Sequence, residues 1–384
     1  MIKNYYIYEI IIIKDNKKMF DDDDGVAMPH IVIDNGSRYI QAGFSGEEGP
    51  RVIISSCVGY PKYSSNTKFF FGADGECRNR PFELNFPNDH GYINNWDEME
   101  KIWDHIFTNE LRVSSEKHNV LLTGYLKYPR ETREKIAQIM FEKFNVPGLF
   151  ISNPGVLAFY GVGRWNGIAI DLGEGGSRFI PTFERYSLSP AEIYLNFGGK
   201  DLTEYIASLL NNFGNRFNFN TDREIIEKIK EEKCSLKSAE NINYRLPDDN
   251  VIIVKDQRIK CPEALFNPPM IKKIESFIYN IGQTCYDSIQ KCDIDIKKDL
   301  YNSIVLFGGT SLINGLPERF EREIKALVPE PMKEEVKVFA SLERRFLSWI
   351  GGSNFPCIST FENISIKKYE YEEQGATIVH WKCF

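Results

Sequence analysis

The chain has 384 residues, a formal net charge of −7, 42% apolar residues and 26% charged residues. The length exceeds one ordinary core and suits two domains, and the composition is that of a globular protein. The acidic balance argues against direct nucleic-acid binding, and no apolar run reaches the about 18 residues that cross a membrane. Eight cysteines form no C-x-x-C pair and the five histidines do not cluster with them, so a zinc site or disulfide framework is not expected and a reducing compartment is the better reading.

The first 18 residues, MIKNYYIYEIIIIKDNKK, carry an apolar core from Ile7 to Ile13 that includes Glu9 and is short for a signal peptide. They read either as a loose extension, with Met19 as a second candidate start, or as a small extra strand. Residues 31–40, IVIDNGSRYI, then give an apolar strand, Asp-x-Gly at a tight turn, and a second apolar-alternating strand. The stretch 60–88, rich in Ser, Asn, Pro and Phe, is expected to be irregular. Residues 96–111 place Met99, Ile102, Trp103, Ile106 and Phe107 at helical spacing. A second helix is predicted over 129–144, opened by Pro129 and burying Ile136, Ile139, Met140 and Phe144.

Residues 168–180, IAIDLGEGGSRFI, repeat the first hairpin about 137 positions on. Two copies of one hairpin at that distance predict two similar lobes facing each other. A charged amphipathic helix follows over 222–233, a buried strand ending in a glycine pair over 303–309, and a helix over 317–327. Short buried strands alternating with helices imply an α/β architecture with a mixed sheet in each lobe.

No G-x-x-x-x-G-K-[ST] occurs, so this is not a P-loop protein. Glycine turns can instead offer consecutive backbone N–H groups to phosphate oxygens. Gly36 and Ser37 form one such turn, and Gly173, Glu174, Gly175 and Gly176 the other. Asp34 and Asp171 each end an apolar triplet, where a carboxylate is costly unless paired or near a cation. Each could simply cap its own turn, but the matched pair favours carboxylates that orient the waters of Mg2+ or Ca2+. Gly308 and Gly309 end the later strand, in isolation more readily read as an ordinary tight turn than as a place where backbone approaches a flat ring or ribose. Gln138 lies on the polar side of its helix, either as a solvated residue or as a group that holds an attacking water; spacing leaves both readings open.

These residues lie in a sequence that resembles actin from about Ile31 to Phe384. The likeness rests on long stretches: DNGSRYIQAGFSG at 34–46, NNWDEMEKIWDHIFTNELRV at 94–113, REKIAQIMFEKFNVP at 133–147, KCPEALFNP at 260–268, GGTSLINGLPERF at 308–320, SWIGGS at 348–353 and IVHWKCF at 378–384. The resemblance implies the actin-like ATPase fold: two similar lobes, each a mixed sheet flanked by helices, on a duplicated ribonuclease-H-like core. It implies a first lobe over 30–160 and 353–384, with its smaller subdomain near 56–90, and a second over 161–352, with its smaller subdomain near 199–260. Residues 1–29 then form an extension with an acidic start.

The resemblance further implies ATP or ADP in the interlobe cleft with Mg2+ or Ca2+. It places Asp34 and Asp171 by the cation, through water, and Asn35, Gly36, Ser37 and Arg38 with Gly173, Glu174 and Gly175 on the phosphates. Gly199 falls near the ribose, Lys230 and Glu231 by the adenosine, Gly308 and Gly309 beside the base, and Arg345 near the adenine. Gln138 is matched to the glutamine that positions the hydrolytic water.

Departures from the family pattern gather on the phosphates: Arg38 for a glycine, Gln41 for a lysine, Leu172 and Glu174 for a serine and an aspartate, and Arg178 for a histidine. Glu227 replaces an arginine and Ile313 a tyrosine near the base. Arg38 and Arg178 are expected to return positive charge to the phosphates, with ATP binding kept and hydrolysis to ADP slow or altered.

The loop at 63–72 is about six residues shorter than in actins, and Phe69 to Phe71 give it an apolar tip. The segment after Asn267 is a few residues longer. Expected partners are further copies of the chain, conventional actin and actin-binding proteins. A cytoskeletal filament former or joiner in the cytoplasm is the first reading. A non-polymerising subunit of a larger complex, cytoplasmic or nuclear, is the alternative. A sugar kinase or chaperone of the same fold is disfavoured by the actin stretches.

Overall fold

Ile31, Val32 and Ile33 have no accessible surface because Ile31–Asn35 (β1) lies between two neighbours. On one side Tyr39–Phe44 (β2) folds back antiparallel, followed by Val52–Ser55 (β3). The computed structural model describes residues 28–61, 70–71, 82–125, 127–212, 216–238, 240–271, 280–357 and 361–383. The N-terminal extension, Phe69 with most of the shortened loop, and the inner part of the lengthened segment after Asn267 lie outside the described residues.

Val58–Pro61 (β4), Phe70–Phe71 (β5) and Phe82–Asn85 (β6) form a small sheet, and Asn88–Asp89 (β7) pairs with Tyr92–Ile93 (β8). Order here differs from the irregular stretch expected from composition. Cross-strand pairing, which local composition does not report, sets it. Phe71 stacks on His105 with ring centroids 4.2 Å apart, so that part of the expected apolar tip packs on the protein's own surface.

Trp96–His105 (α1) is capped by Asn95, whose side chain accepts from the Glu98 amide. It buries Met99, Ile102 and Trp103 and runs into a π-helical turn, Ile106–Leu111, that buries Ile106 and Phe107. Val120–Thr123 (β9) and Gly148–Ser152 (β10) are parallel to β1, which sets the sheet order Ile366–Lys367, β10, β9, β1, β2, β3. The predicted second helix splits into Arg130–Gln138 (α2) and a π-helical turn, Ile139–Lys143.

The second lobe repeats this plan. Gly167–Leu172 (β11) and Ser177–Phe183 (β12) form the second hairpin, and the parallel strand Ile304–Phe307 flanks β11 as β9 flanks β1. Gly199–Asn211 (α4) and Phe219–Lys233 (α5) pack on its core. Pro154–Val162 (α3), between the two sheets in sequence, packs along the helix Leu347–Asn354 and joins the lobes. Most buried apolar residues fall in two clusters, one per lobe. No described helix is long and apolar enough to cross a membrane.

Candidate functional site

The parallel strands β1 and β9 end side by side, and their last residues meet. The Thr123 hydroxyl donates to Asp34 Oδ1 at 2.8 Å and accepts from the Asn35 amide at 2.9 Å. Trp103 Nε1 donates to Asn35 Oδ1 at 3.3 Å, and the Asn88 side chain to the Asn35 carbonyl at 2.9 Å. The first turn is thus tied to β7 and to the core. Ser37 Oγ accepts from the Gly91 amide at 3.0 Å.

In the second hairpin Gly199 N donates to the Gly173 carbonyl at 2.9 Å, and Lys200 N to the Glu174 carbonyl at 3.0 Å. These bonds dock the start of α4 on the turn. Gly308 has φ of +87°, and a Cβ there would lie 2.7 Å from Asp171 Oδ1, so glycine is needed where this strand passes beneath the carboxylate. A Cβ on Gly309 would meet nothing within 4 Å.

The two turns touch. A Cβ on Gly175 would stand 2.8 Å from Ser37 Oγ and from His90 Cα, and His90 Nδ1 lies 2.7 Å from the Gly175 carbonyl. Tyr125, one lobe away, donates its hydroxyl to Asp171 Oδ2. Lys200 reaches Asp89 at 3.0 Å. The cleft between the hairpins is therefore bridged by side chains from both lobes.

Burial raises both carboxylates. Asp34 is pushed above the ordinary range by desolvation, with the Thr123 bond opposing. Asp171 is pushed up to about 6 by desolvation, with Tyr125 and Arg178 opposing and Asp34 adding. In the two ladders Asp34 faces Gln41, and Asp171 faces Arg178, at equivalent positions. Directly opposed residues share a face. Gln41 is buried, and its Oε1 has no hydrogen-bond partner among the described residues. Two carboxylates and an unmatched carbonyl oxygen are a donor set that suits a hard, hydrated cation. Among the described residues no group of three or more His, Cys, Asp or Glu could hold a metal ion alone, so such a cation would need ligand oxygens as well.

The expected basic groups are engaged with protein. Arg38 gives Nε and Nη2 to Glu227 Oε2 at 3.0 and 2.7 Å, and Nη1 to Ser55. Arg178 lies 3.7 Å over the Tyr125 ring and 4.1 Å over the Tyr194 ring, with Nη2 donating to the His90 carbonyl at 3.3 Å. Both arginines, expected beside the phosphates, are held here by protein groups. Arg38 pairs with the buried Glu227, and Arg178 stacks on the half-buried Tyr125 and on Tyr194.

Lys230 donates to the Gly199 carbonyl at 2.9 Å and to Thr203 Oγ1 at 2.7 Å, and lies 3.6 Å from Glu174 Oε2. Glu231 is raised by burial, with the positive charges of Arg345 and Lys230 opposing. The Arg345 guanidinium stands 4.9 Å from the Tyr39 ring. Gly199, Lys230, Glu231, Gly308, Gly309 and Arg345 therefore collect around the turns.

Gln138 does not. Strands β9 and β10 run parallel, so the helix between them must run back from the Asp34 end. Gln138, at the last turn of α2, is carried to the opposite edge, where it bonds Glu142 at 3.0 Å and accepts from Lys135 at 3.1 Å. The residues that return to the Asp34 end are those after β10. There Asn153 caps α3 through the Gly155 amide and donates to Glu192, and Pro154 has no N–H. Sequence reasoning missed Thr123, the last residue of β9, and Tyr125, two positions beyond it, whose only trace was an aromatic residue just past the strand.

Two lobes of one plan, each with an Asp-x-Gly hairpin and a parallel strand beside it, define a duplicated α/β protein with its glycine turns at the lobe interface. A sequence model of the family described as Actin matches residues 25–384. The chain belongs to the actin family.

Proposed function

We propose that this chain holds ATP or ADP with Mg2+ or Ca2+ between its lobes, turns the nucleotide over slowly or not at all, and acts as an actin-like cytoskeletal protein that joins or forms actin-type filaments. The observation that carries the nucleotide reading is the facing pair of half-buried carboxylates, Asp34 and Asp171, each at a glycine turn of an opposite lobe. Gln41 and the two carboxylates would face the hydrated cation. The turns at 35–37 and 173–175 would face the phosphates, and Lys230, Glu231, Gly308, Gly309 and Arg345 the nucleoside.

Slow turnover is supported by what stands beside Asp171. The Tyr125 hydroxyl occupies one carboxylate oxygen, and the first turn of α3 offers Pro154 and a fully engaged Asn153 in place of a free carboxamide. An ordered attacking water needs such a group. The test is calorimetric titration of Mg-ATP together with phosphate release from the purified protein. Tight binding with release far slower than that of conventional actin is expected; absence of binding, or an actin-like rate, overturns the reading.

A second reading, a non-polymerising actin-related subunit of a larger complex in cytoplasm or nucleus, is favoured by Phe71, which packs on His105. Sedimentation with and without conventional actin separates the two, since only the first predicts pelleting.

A further inference from the structure

Arg38 and Glu227 are 189 positions apart and belong to opposite lobes. Their side chains keep only 11% and 7% of their surface exposed. Two guanidinium nitrogens reach the same carboxylate oxygen, a charge-assisted arrangement stronger than a neutral hydrogen bond. The second Glu227 oxygen takes Arg223 Nε at 2.7 Å, and Arg223 Nη2 reaches Glu174 Oε1 at 2.8 Å. Lys230 ends the row beside Glu174. Arg38, Glu227, Arg223, Glu174 and Lys230 therefore alternate in sign from the first glycine turn, through α5, to the second.

We propose that the Arg38–Glu227 pair is an interlobe latch, which holds the cleft closed without any nucleotide and sets how readily the lobes part. Parting the lobes must separate the pair. Removing one partner leaves a buried charge uncompensated, the costly way to break an ion pair. Burial also protects the pair from screening by salt. A phosphate can recruit Arg38 only by taking it from Glu227, so ligand and latch compete for one guanidinium. The latch acts on the protein alone and does not rest on the proposed nucleotide binding.

The experiment is hydrogen–deuterium exchange on the full chain, stripped with EDTA and alkaline phosphatase, followed by mass spectrometry of peptides covering 36–41, 173–176 and 223–231. Stripped wild type is expected to exchange slowly there. Glu227→Gln should speed exchange about tenfold or more at all three places, and the swap Arg38→Glu with Glu227→Arg should restore protection. Peptides covering 120–123 report the core. If Glu227→Gln speeds these equally, the fold has loosened, and the swap alone decides. Stripped wild type exchanging as fast as Glu227→Gln overturns the latch, as does a folded swap that recovers no protection. Binding of a fluorescent ATP analogue is measured separately, so its failure would sink the nucleotide reading and leave the latch standing.

Discussion

The hydroxyl of Tyr125 in the first lobe donates to Oδ2 of Asp171 in the second. Burial, and then the charge on Asp171, hold the phenol far above its ordinary range, so it stays a donor. Asp171 has its own carboxylate raised by desolvation, and this bond is one of two influences that bring it back down. The pair is thus a contact between lobes and a partial discharge of a group suited to hold a cation.

Tyr125→Phe removes the donor while keeping the ring under Arg178. A buried acceptor that loses a partner costs about 1–3 kcal/mol. Urea unfolding at pH 7.5 without added nucleotide should show a loss in that range. The freed oxygen should also let Mg2+ stabilise the variant more than wild type. A variant as stable as wild type would mean that the bond carries no weight.

Arg178 joins two side chains and a backbone carbonyl of the interface. Its guanidinium lies between the Tyr125 and Tyr194 rings and donates to the His90 carbonyl. Burial works against its charge, and the neighbouring tyrosines and Asp171 outweigh that, so the cation is held firmly. Arg178→Ala should cost about 2–3 kcal/mol by differential scanning, and Arg178→Lys should recover little of it, because an ammonium cannot lie flat between two rings.

Gln138 gives the sharpest contrast between pattern and placement. Its bonds run to Lys135 and Glu142, on the far edge of the first sheet from Asp34. Gln138→Ala should leave phosphate release unchanged and shift stability by no more than about 0.5 kcal/mol. A drop of tenfold or more in the release rate would return this residue to the site.

The hairpins were legible because period-two apolar alternation and Asp-x-Gly are local signals, and both copies fold as antiparallel hairpins, with Asp34 opposite Gln41 and Asp171 opposite Arg178. Helix spacing likewise exposed the buried face of α1. It did not say where along a strand–helix–strand unit a polar residue ends up, which is why Gln138 was legible as outward-facing and not as remote. The small sheet of β4, β5 and β6 was hidden by its Ser, Asn and Pro content. Arg38 and Arg178 read as charges for a phosphate because their partners stand far away in sequence. Arg38 is intelligible only beside Glu227, and Arg178 only beside Tyr125 and Tyr194, and a single sequence does not show which distant residues meet.

Glu227 gives a pH dependence whose sign follows from its surroundings. Burial alone would raise its carboxyl, but Arg38 from the first lobe and Arg223 and Lys230 on its own helix outweigh that and hold it below the ordinary 4.5. A folded-state value below the unfolded one means that the unfolded chain binds more protons in this range, so the stabilisation is present above 4.5 and is lost as pH falls through the folded value. Glu227→Gln cannot titrate there. The difference in unfolding free energy between wild type and Glu227→Gln should therefore be flat from pH 7 to 5.5, at about 3 kcal/mol for a broken buried pair, and should shrink below pH 4.5. Urea titrations at half-unit steps read this directly. A gap that widens on acidification would mean that Glu227 is held protonated in the folded protein, and that its contact with Arg38 is not an ion pair.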